Sequence, residues 1–131
     1  MNMPNIEKFL MRNGEANNMI VALITYFVDK KQLCIEPIKP KVKDDLVKYP
    51  YVLQQAILRG YKQLPQKWSD LWLDERVVPA GRPGVIEKLA TYGIYEYNAV
   101  EIMKIVEGRN AMDGTYWEPV DNKITVDDLQ L

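Results

Sequence analysis

The stretch Met19-Ile-Val-Ala-Leu-Ile-Thr-Tyr-Phe-Val28 is the longest apolar run of the chain, and its conformation decides the fold. Because apolar side chains occupy every side of it, periodicity alone does not separate a buried helix from a buried strand. Its many β-branched residues favour a strand. Its length, together with Asn17 or Asn18 as an N-cap, favours a helix. We predict a helix that runs to about Lys31, and the strand remains the alternative.

The segments on both sides of this run have helical spacing. Towards the N-terminus, the spacing of Ile6, Phe9 and Leu10 predicts a short helix. Beyond a proline-containing connector over residues 36–43, apolar residues recur at three- and four-residue steps and predict one core-facing helix stripe. This stripe consists of Leu53, Ala56, Ile57, Tyr61 and Leu64, and shorter helices are predicted around residues 68–72, 85–89 and 99–106.

The pattern changes near the C-terminus. The Asp113-Gly114 pair is a turn signal, and the apolar pairs 116–117 and 124–126 predict a small β-hairpin. The expected fold is therefore mainly α, a compact bundle of about five to six short helices with a small C-terminal hairpin. We divide the chain into a helical core over residues 1–112 and a C-terminal hairpin with an acidic tail over residues 113–131.

The composition argues against most catalytic chemistry. The chain has 131 residues, no histidine and one cysteine, with a formal net charge of −1. The usual general base, the usual zinc ligand and the usual partner of a nucleophile are thus missing. We expect no enzyme activity, no cofactor and no metal site. The adjacent carboxylate pairs, such as Asp44-Asp45, are interpreted as caps and surface residues.

The lone Cys34 lies between Leu33 and Ile35 and is interpreted as a small buried hydrophobe. Because it has no disulfide partner within the chain, a reducing compartment is expected, namely the cytoplasm or a particle assembled there. No membrane association is expected, because a spanning helix needs about 20 apolar residues.

Aromatic residues give the main positive signal for function. Interface centres are enriched in Trp, Tyr and Arg, and this chain places such residues in short elements beside prolines and turns. We predict a non-enzymatic protein-interaction module, a subunit or accessory factor of a larger assembly, such as a phage structural or host-interaction protein. Its partners would be other protein chains, including copies of itself. The predicted contact residues are Trp68, Trp72, Tyr116, Trp117, Leu129 and Leu131.

The alternative function rests on charge. The segment over residues 39–67 contains six Lys and one Arg against two Asp, whereas residues 113–131 contain five acids against one Lys. Such a basic face with interleaved tyrosines is also found in nucleic-acid-binding proteins. A transcriptional regulator is therefore the second hypothesis, although nucleic acid is the less favoured partner. Its contact residues would be Lys41, Lys43, Lys48, Arg59, Lys62 and Lys67.

Overall fold

A four-stranded antiparallel sheet forms the centre of the protein, with strand order β3-β2-β1-β4. The computed structural model describes residues 5–77, 79–110 and 113–130. The strands are β1 (Ile6–Asn13), β2 (Met19–Phe27), β3 (Gln32–Pro37) and β4 (Thr115–Val120). The helices are α1 (Tyr51–Leu58), α2 (Gln66–Asp74), α3 (Val85–Ala90), α4 (Ala99–Ile105) and α5 (Val126–Leu129), and 3-10 turns span Val28–Lys30 and Lys43–Lys48.

The predicted mainly-α bundle is wrong, because the structure combines 25% strand with 35% helix. The apolar run that begins at Met19 is β2, and this strand pairs with β1 on one side and β3 on the other. Helices cover one face of the sheet and the C-terminal segment covers part of the other. A strand buried on both faces is apolar throughout, which explains why its sequence shows no alternation.

Asn17 and Asn18 form a hairpin turn and not a helix cap. Both residues have positive φ values, 56° and 57°. The Met19 amide donates to the Ala16 carbonyl at 3.1 Å, which closes the turn. A turn with two central left-handed residues matches the twist of an antiparallel pair, and asparagine tolerates this conformation well. The Asn-Asn pair therefore joins β1 to β2 as a type I′ turn.

The predicted N-terminal helix and C-terminal hairpin are also corrected. The residues around Phe9 and Leu10 belong to β1, where adjacent side chains point to opposite faces of the sheet. The strand β4 pairs with β1, with Lys8 opposite Val120, and residues 126–129 form the short helix α5. The division of the chain at residues 112 and 113 remains a prediction.

The first face of the sheet carries the main core. Side chains from all four strands, Trp117 among them, pack there against α1, α2 and α4. The helices contribute Leu53, Trp72 and Met103. Trp117 is 2% exposed and lies between the rings of Phe9 and Trp72, with centroids 5.5 and 6.3 Å away. No helix in the described parts of the chain is long and apolar enough to cross a bilayer.

The C-terminal segment over residues 121–130 packs against the second face of the sheet. Buried Leu10, Leu23 and Ile38 contact apolar side chains of this segment. The Lys8 ammonium donates to the Ile124 carbonyl at 2.7 Å. The Gln130 amide side chain exchanges two hydrogen bonds with the backbone of Lys39, at 3.0 and 3.2 Å. This segment is therefore held against the sheet of its own chain.

Both outer strands have hydrogen bonds on their outward side. At the β3 edge, the Leu64 amide donates to the Ile35 carbonyl at 2.9 Å, and the Gln66 side chain donates to the Leu33 carbonyl at 3.2 Å. At the β4 edge, the Trp117 amide donates to the Glu107 carbonyl at 2.7 Å. Pro119 stands two residues further along β4, in a position typical of edge strands.

Candidate protein-binding groove

The predicted contact residues are distributed over both faces of the sheet. Trp72 and Trp117 are buried in the main core, at 8% and 2% exposure. Trp68 is partly buried against the same core. Leu129 packs against the cluster on the opposite face. Leu131 lies outside the described residues.

Tyr116 belongs to β4, and its side chain lies in a different environment from that of its neighbour Trp117. Its hydroxyl donates to the Asn18 side chain at 3.0 Å. The guanidinium of Arg109 lies 4.6 Å from its ring. Because side chains alternate along a strand, Tyr116 faces away from the core that holds Trp117. The structure therefore groups Trp68 with Trp72 and separates them from Tyr116 and Leu129.

Trp68 and Trp72 line an open groove of about 330 Å³ between α1 and α2. Leu71 and Tyr51 lie in this groove and are 58% and 74% exposed. Its other lining residues are Val52, Gln55, Arg59 and Glu75. An apolar surface with tryptophan, tyrosine and arginine has the composition of an interface centre.

The orientation of α2 differs from the one expected from its sequence. The helical spacing places Trp68, Leu71 and Trp72 on one face of this segment, with Ser69 and Asp70 opposite. In the structure Ser69 is 1% exposed and lies in the protein interior with Trp72, whereas Leu71 points outward. The helix begins after Pro65, whose backbone φ of −51° and ψ of 142° precede the first turn. The outward position of Leu71 gives α2 an apolar residue that the core does not use.

Trp68 is held at the N-terminal end of α2 by two neighbours. The ring of Tyr61 lies 5.5 Å away and is tilted by 58°. The guanidinium of Arg59 lies 5.5 Å from the indole ring, within the range of a cation–π contact. These contacts fix the indole and leave the charge of Arg59 at the surface.

Arg76 anchors the C-terminal end of α2. Its side chain is 3% exposed and donates two hydrogen bonds to the Asp113 carboxylate, at 2.9 and 3.1 Å. A third bond reaches the Thr115 hydroxyl at 3.0 Å, and the guanidinium stacks 4.4 Å from the Trp72 ring. Burial alone raises the pKa of Asp113, but the hydrogen bonds from Arg76 and Thr115 outweigh it and lower the pKa. One wall of the groove is thereby tied to the start of β4.

The predicted nucleic-acid contacts do not share one environment. Lys41 and Lys62 line a cavity of about 700 Å³ together with Asp127 of the C-terminal segment. Lys48 pairs with Asp45 at 2.9 Å. The remaining predicted contacts, Lys43, Arg59 and Lys67, are exposed. One of the six residues is thus paired with a carboxylate, and two others line the same cavity as one.

Burial is the main cause of the pKa shifts at Cys34, Glu36 and Tyr49. Burial raises the pKa of the Cys34 thiol and of the Glu36 carboxyl. Burial, assisted by the Asp45 carboxylate, raises the pKa of Tyr49 to about 12. Within the described ranges, no three potential metal-ligating side chains of His, Cys, Asp or Glu come together.

No protein family, curated protein or solved structure matched this chain in the comparisons. The candidate site therefore rests on the residues of the groove themselves. Five lining residues were not among the predicted contact residues, namely Tyr51, Val52, Gln55, Leu71 and Glu75. A signal for Leu71 was present, because Leu71 and Leu73 are two residues apart and so lie about 160° apart around the helix, which prevents one face from burying both.

Proposed function

We propose that the protein is a non-enzymatic protein-interaction module, a subunit or accessory factor of a larger assembly, that binds its partner through the α1–α2 groove. The observation that carries the proposal is the exposure of Leu71 and Tyr51 in a groove lined by Trp68 and Trp72. Full burial of a leucine or similar side chain contributes roughly 1.5–3 kcal/mol. A partner that covers Leu71 gains part of this free energy.

The anchoring of α2 supports the same proposal. A rigid surface loses little conformational entropy on binding, so more of the contact free energy appears as affinity. The buried Arg76–Asp113 pair and the contacts of Trp68 with Tyr61 and Arg59 hold the groove walls in place. The groove therefore combines exposed apolar side chains with a fixed framework.

Site-specific photo-crosslinking tests this proposal. A photoreactive phenylalanine analogue replaces Leu71 in one variant and Tyr95, which is 79% exposed and outside the groove, in the control. Both variants are expressed in the native cell and irradiated. We expect a covalent adduct with a protein chain at position 71, several-fold above the control, and its loss when Trp68→Ala is added. Equal yields at the two positions would reject the groove as a binding site.

The second candidate function is nucleic-acid binding by the basic residues between positions 39 and 67. Exposed Lys43 and Lys67 support it, whereas the Lys48–Asp45 pair and the position of Asp127 beside Lys41 weigh against it. It predicts retention on immobilised DNA or RNA with a steep dependence on salt, because each phosphate contact releases counterions. Weak retention that does not change with salt would reject it.

We also propose the cytoplasm, or a particle assembled there, as the location. A free, half-buried Cys34 supports a reducing compartment. Assembly into a phage particle, or contact with a host protein, would suit a module of this kind.

A further inference from the structure

The exposed side of α2 has a cation, Lys67, towards its N-terminal end and the acids Asp74 and Glu75 at its C-terminal end, with Leu71 and exposed Asp70 between them. Lys67 and Glu75 lie four residues before and four residues after Leu71. All three side chains are exposed, and neither charge takes part in an ion pair within the described structure. At 1.5 Å per residue, each charge lies about 6 Å along the helix from Leu71. Positions four apart share one side of a helix, so the three residues form a single stripe.

Such a stripe is complementary to itself when a second copy lies antiparallel to it. A two-fold axis beside Leu71 reverses the helix direction and brings Lys67 of one copy to Glu75 of the other. The same operation repeats the pair at the opposite end, as in every isologous interface. A parallel arrangement would instead place Lys67 against Lys67 and Glu75 against Glu75, with like charges facing each other. The charges at the two ends therefore favour the antiparallel orientation, and exposed Asp74 next to Glu75 adds to this preference, whereas Asp70 next to Leu71 does not.

We propose that the occupant of the α1–α2 groove is a second copy of this chain, with the two α2 helices packed antiparallel about Leu71. This inference rests on the proposed function, because it names the partner of the same groove. Each Leu71 enters the groove of the other copy, beside Tyr51 and Trp72. The two Lys67–Glu75 pairs close the ends of the contact.

The size of the contact sets the strength of the dimer. A helix of nine residues spans about 14 Å. An interface built on two such helices buries less than the roughly 1,200 Å² typical of stable complexes, and small interfaces are characteristic of weak, reversible association. The dimer is therefore expected to form in the micromolar range or above, and its dissociation constant rises with salt as the end pairs are screened.

Charge reversal provides a direct test. Lys67→Glu and Glu75→Lys are made separately, and self-association of each is measured by sedimentation equilibrium from micromolar to millimolar concentration. In a dimer of either variant both end pairs become like-charged, so association weakens about tenfold or more. In a mixture of the two variants every end pair is again Lys with Glu. The mixture should form a heterodimer of wild-type strength, which native mass spectrometry detects when one variant is isotope-labelled.

Two controls separate this effect from unfolding and from net charge. Lys88→Glu on α3 makes the same change of charge at an exposed position outside the groove, and it should leave the dimer intact. Leu71→Ser should abolish the dimer without lowering the thermal midpoint, because this side chain is 58% exposed. Wild-type protein that stays monomeric at all concentrations would overturn the proposal. So would a dimer that Lys67→Glu does not weaken, or a mixture in which association is not restored.

The crosslinking experiment distinguishes this inference from the proposed function. An adduct between two copies at position 71 supports both. An adduct with a different protein supports the groove as a binding site but overturns the second copy as its occupant. Absence of an adduct above the control overturns both.

Discussion

Replacement of Gly108 by alanine should destabilise the protein strongly, because this residue combines a left-handed backbone with a close contact. Gly108 has a φ of +72°, and a Cβ atom placed on it would lie 2.2 Å from Cδ1 of Trp117 and 2.3 Å from Cγ. Trp117 is 2% exposed and packs against Phe9 and Trp72, so its ring has little room to move. The clash therefore falls on the centre of the core.

The expected loss follows from two contributions. A left-handed conformation costs an L-residue about 1–2 kcal/mol. Overpacking of a filled core costs typically about 1–3 kcal/mol. Together they lower the free energy of unfolding by roughly 2–5 kcal/mol, a large part of the 5–15 kcal/mol typical of a domain. The Gly108 amide also donates to the Met103 carbonyl at 2.8 Å after α4, and a shift of this loop would strain that bond.

Gly60→Ala is the matched control. Gly60 has nearly the same φ, +74°, but no atom lies within 4 Å of a Cβ placed there. Its substitution should therefore cost only the conformational part, about 1–2 kcal/mol. Urea unfolding followed by tryptophan fluorescence measures both variants, and the Gly108→Ala midpoint should fall further by about 1 M. If the two variants lose the same free energy of unfolding, the contact with Trp117 carries no cost and the reasoning is refuted.

Two further predictions concern buried polar contacts. The lowered pKa of Asp113 means that its stabilising effect is present above its unfolded pKa near 3.9 and is lost as pH falls through the folded value. Asp113→Asn should therefore be less stable at neutral pH but lose less stability during an acid titration, and an unchanged acid profile would contradict this. Tyr49 donates a hydrogen bond to the Ile38 carbonyl, and Tyr49→Phe should lower the free energy of unfolding by about 1–3 kcal/mol in urea titrations. Because the folded pKa of Tyr49 is raised to about 12, wild-type stability should decrease between the unfolded value of about 10 and pH 12, and Tyr49→Phe should show a smaller decrease.

Local signals in the sequence recovered some elements and failed at others for a physical reason. The first part of the predicted stripe, Leu53 and Ala56, corresponds to α1, where both side chains are buried, but the helix ends at Leu58, before Tyr61 and Leu64. The helix predicted around residues 99–106 corresponds to α4, and Gly108 follows it with a positive φ. In both cases the information lies within a few residues of the chain.

The sheet depends on partners that a local pattern does not contain. The run over β2 is apolar on every side because β1 and β3 flank it and two layers cover it. Only the Asn17-Asn18 pair indicated a hairpin, and it was interpreted as a helix cap. Pairing of β4 with β1 joins the two ends of the chain, and no spacing rule within the sequence reveals it. Once this pairing is known, the burial of Trp117 follows.

Part of the candidate groove could be predicted from the sequence. Trp68 and Trp72 were identified by residue type, because tryptophan is common both in cores and at interface centres. Whether a tryptophan of α2 lies in the core or at a surface depends on the rotation of this helix about its axis. The Arg76–Asp113 pair fixes that rotation. The charge symmetry of Lys67 and Glu75 about Leu71 is visible in the sequence, but it has meaning only when that side of the helix is known to face outward.

The hydrogen bonds on the outer strands also limit strand pairing between the sheets of neighbouring molecules. An unprotected sheet edge is a template for amyloid-like stacking. Here the outward carbonyls of Leu33 and Ile35 already accept hydrogen bonds, and Pro119 offers no amide on β4. A strand from a neighbouring molecule would meet occupied or missing backbone partners at these positions. Growth of the sheet into a fibril is therefore hindered at these positions.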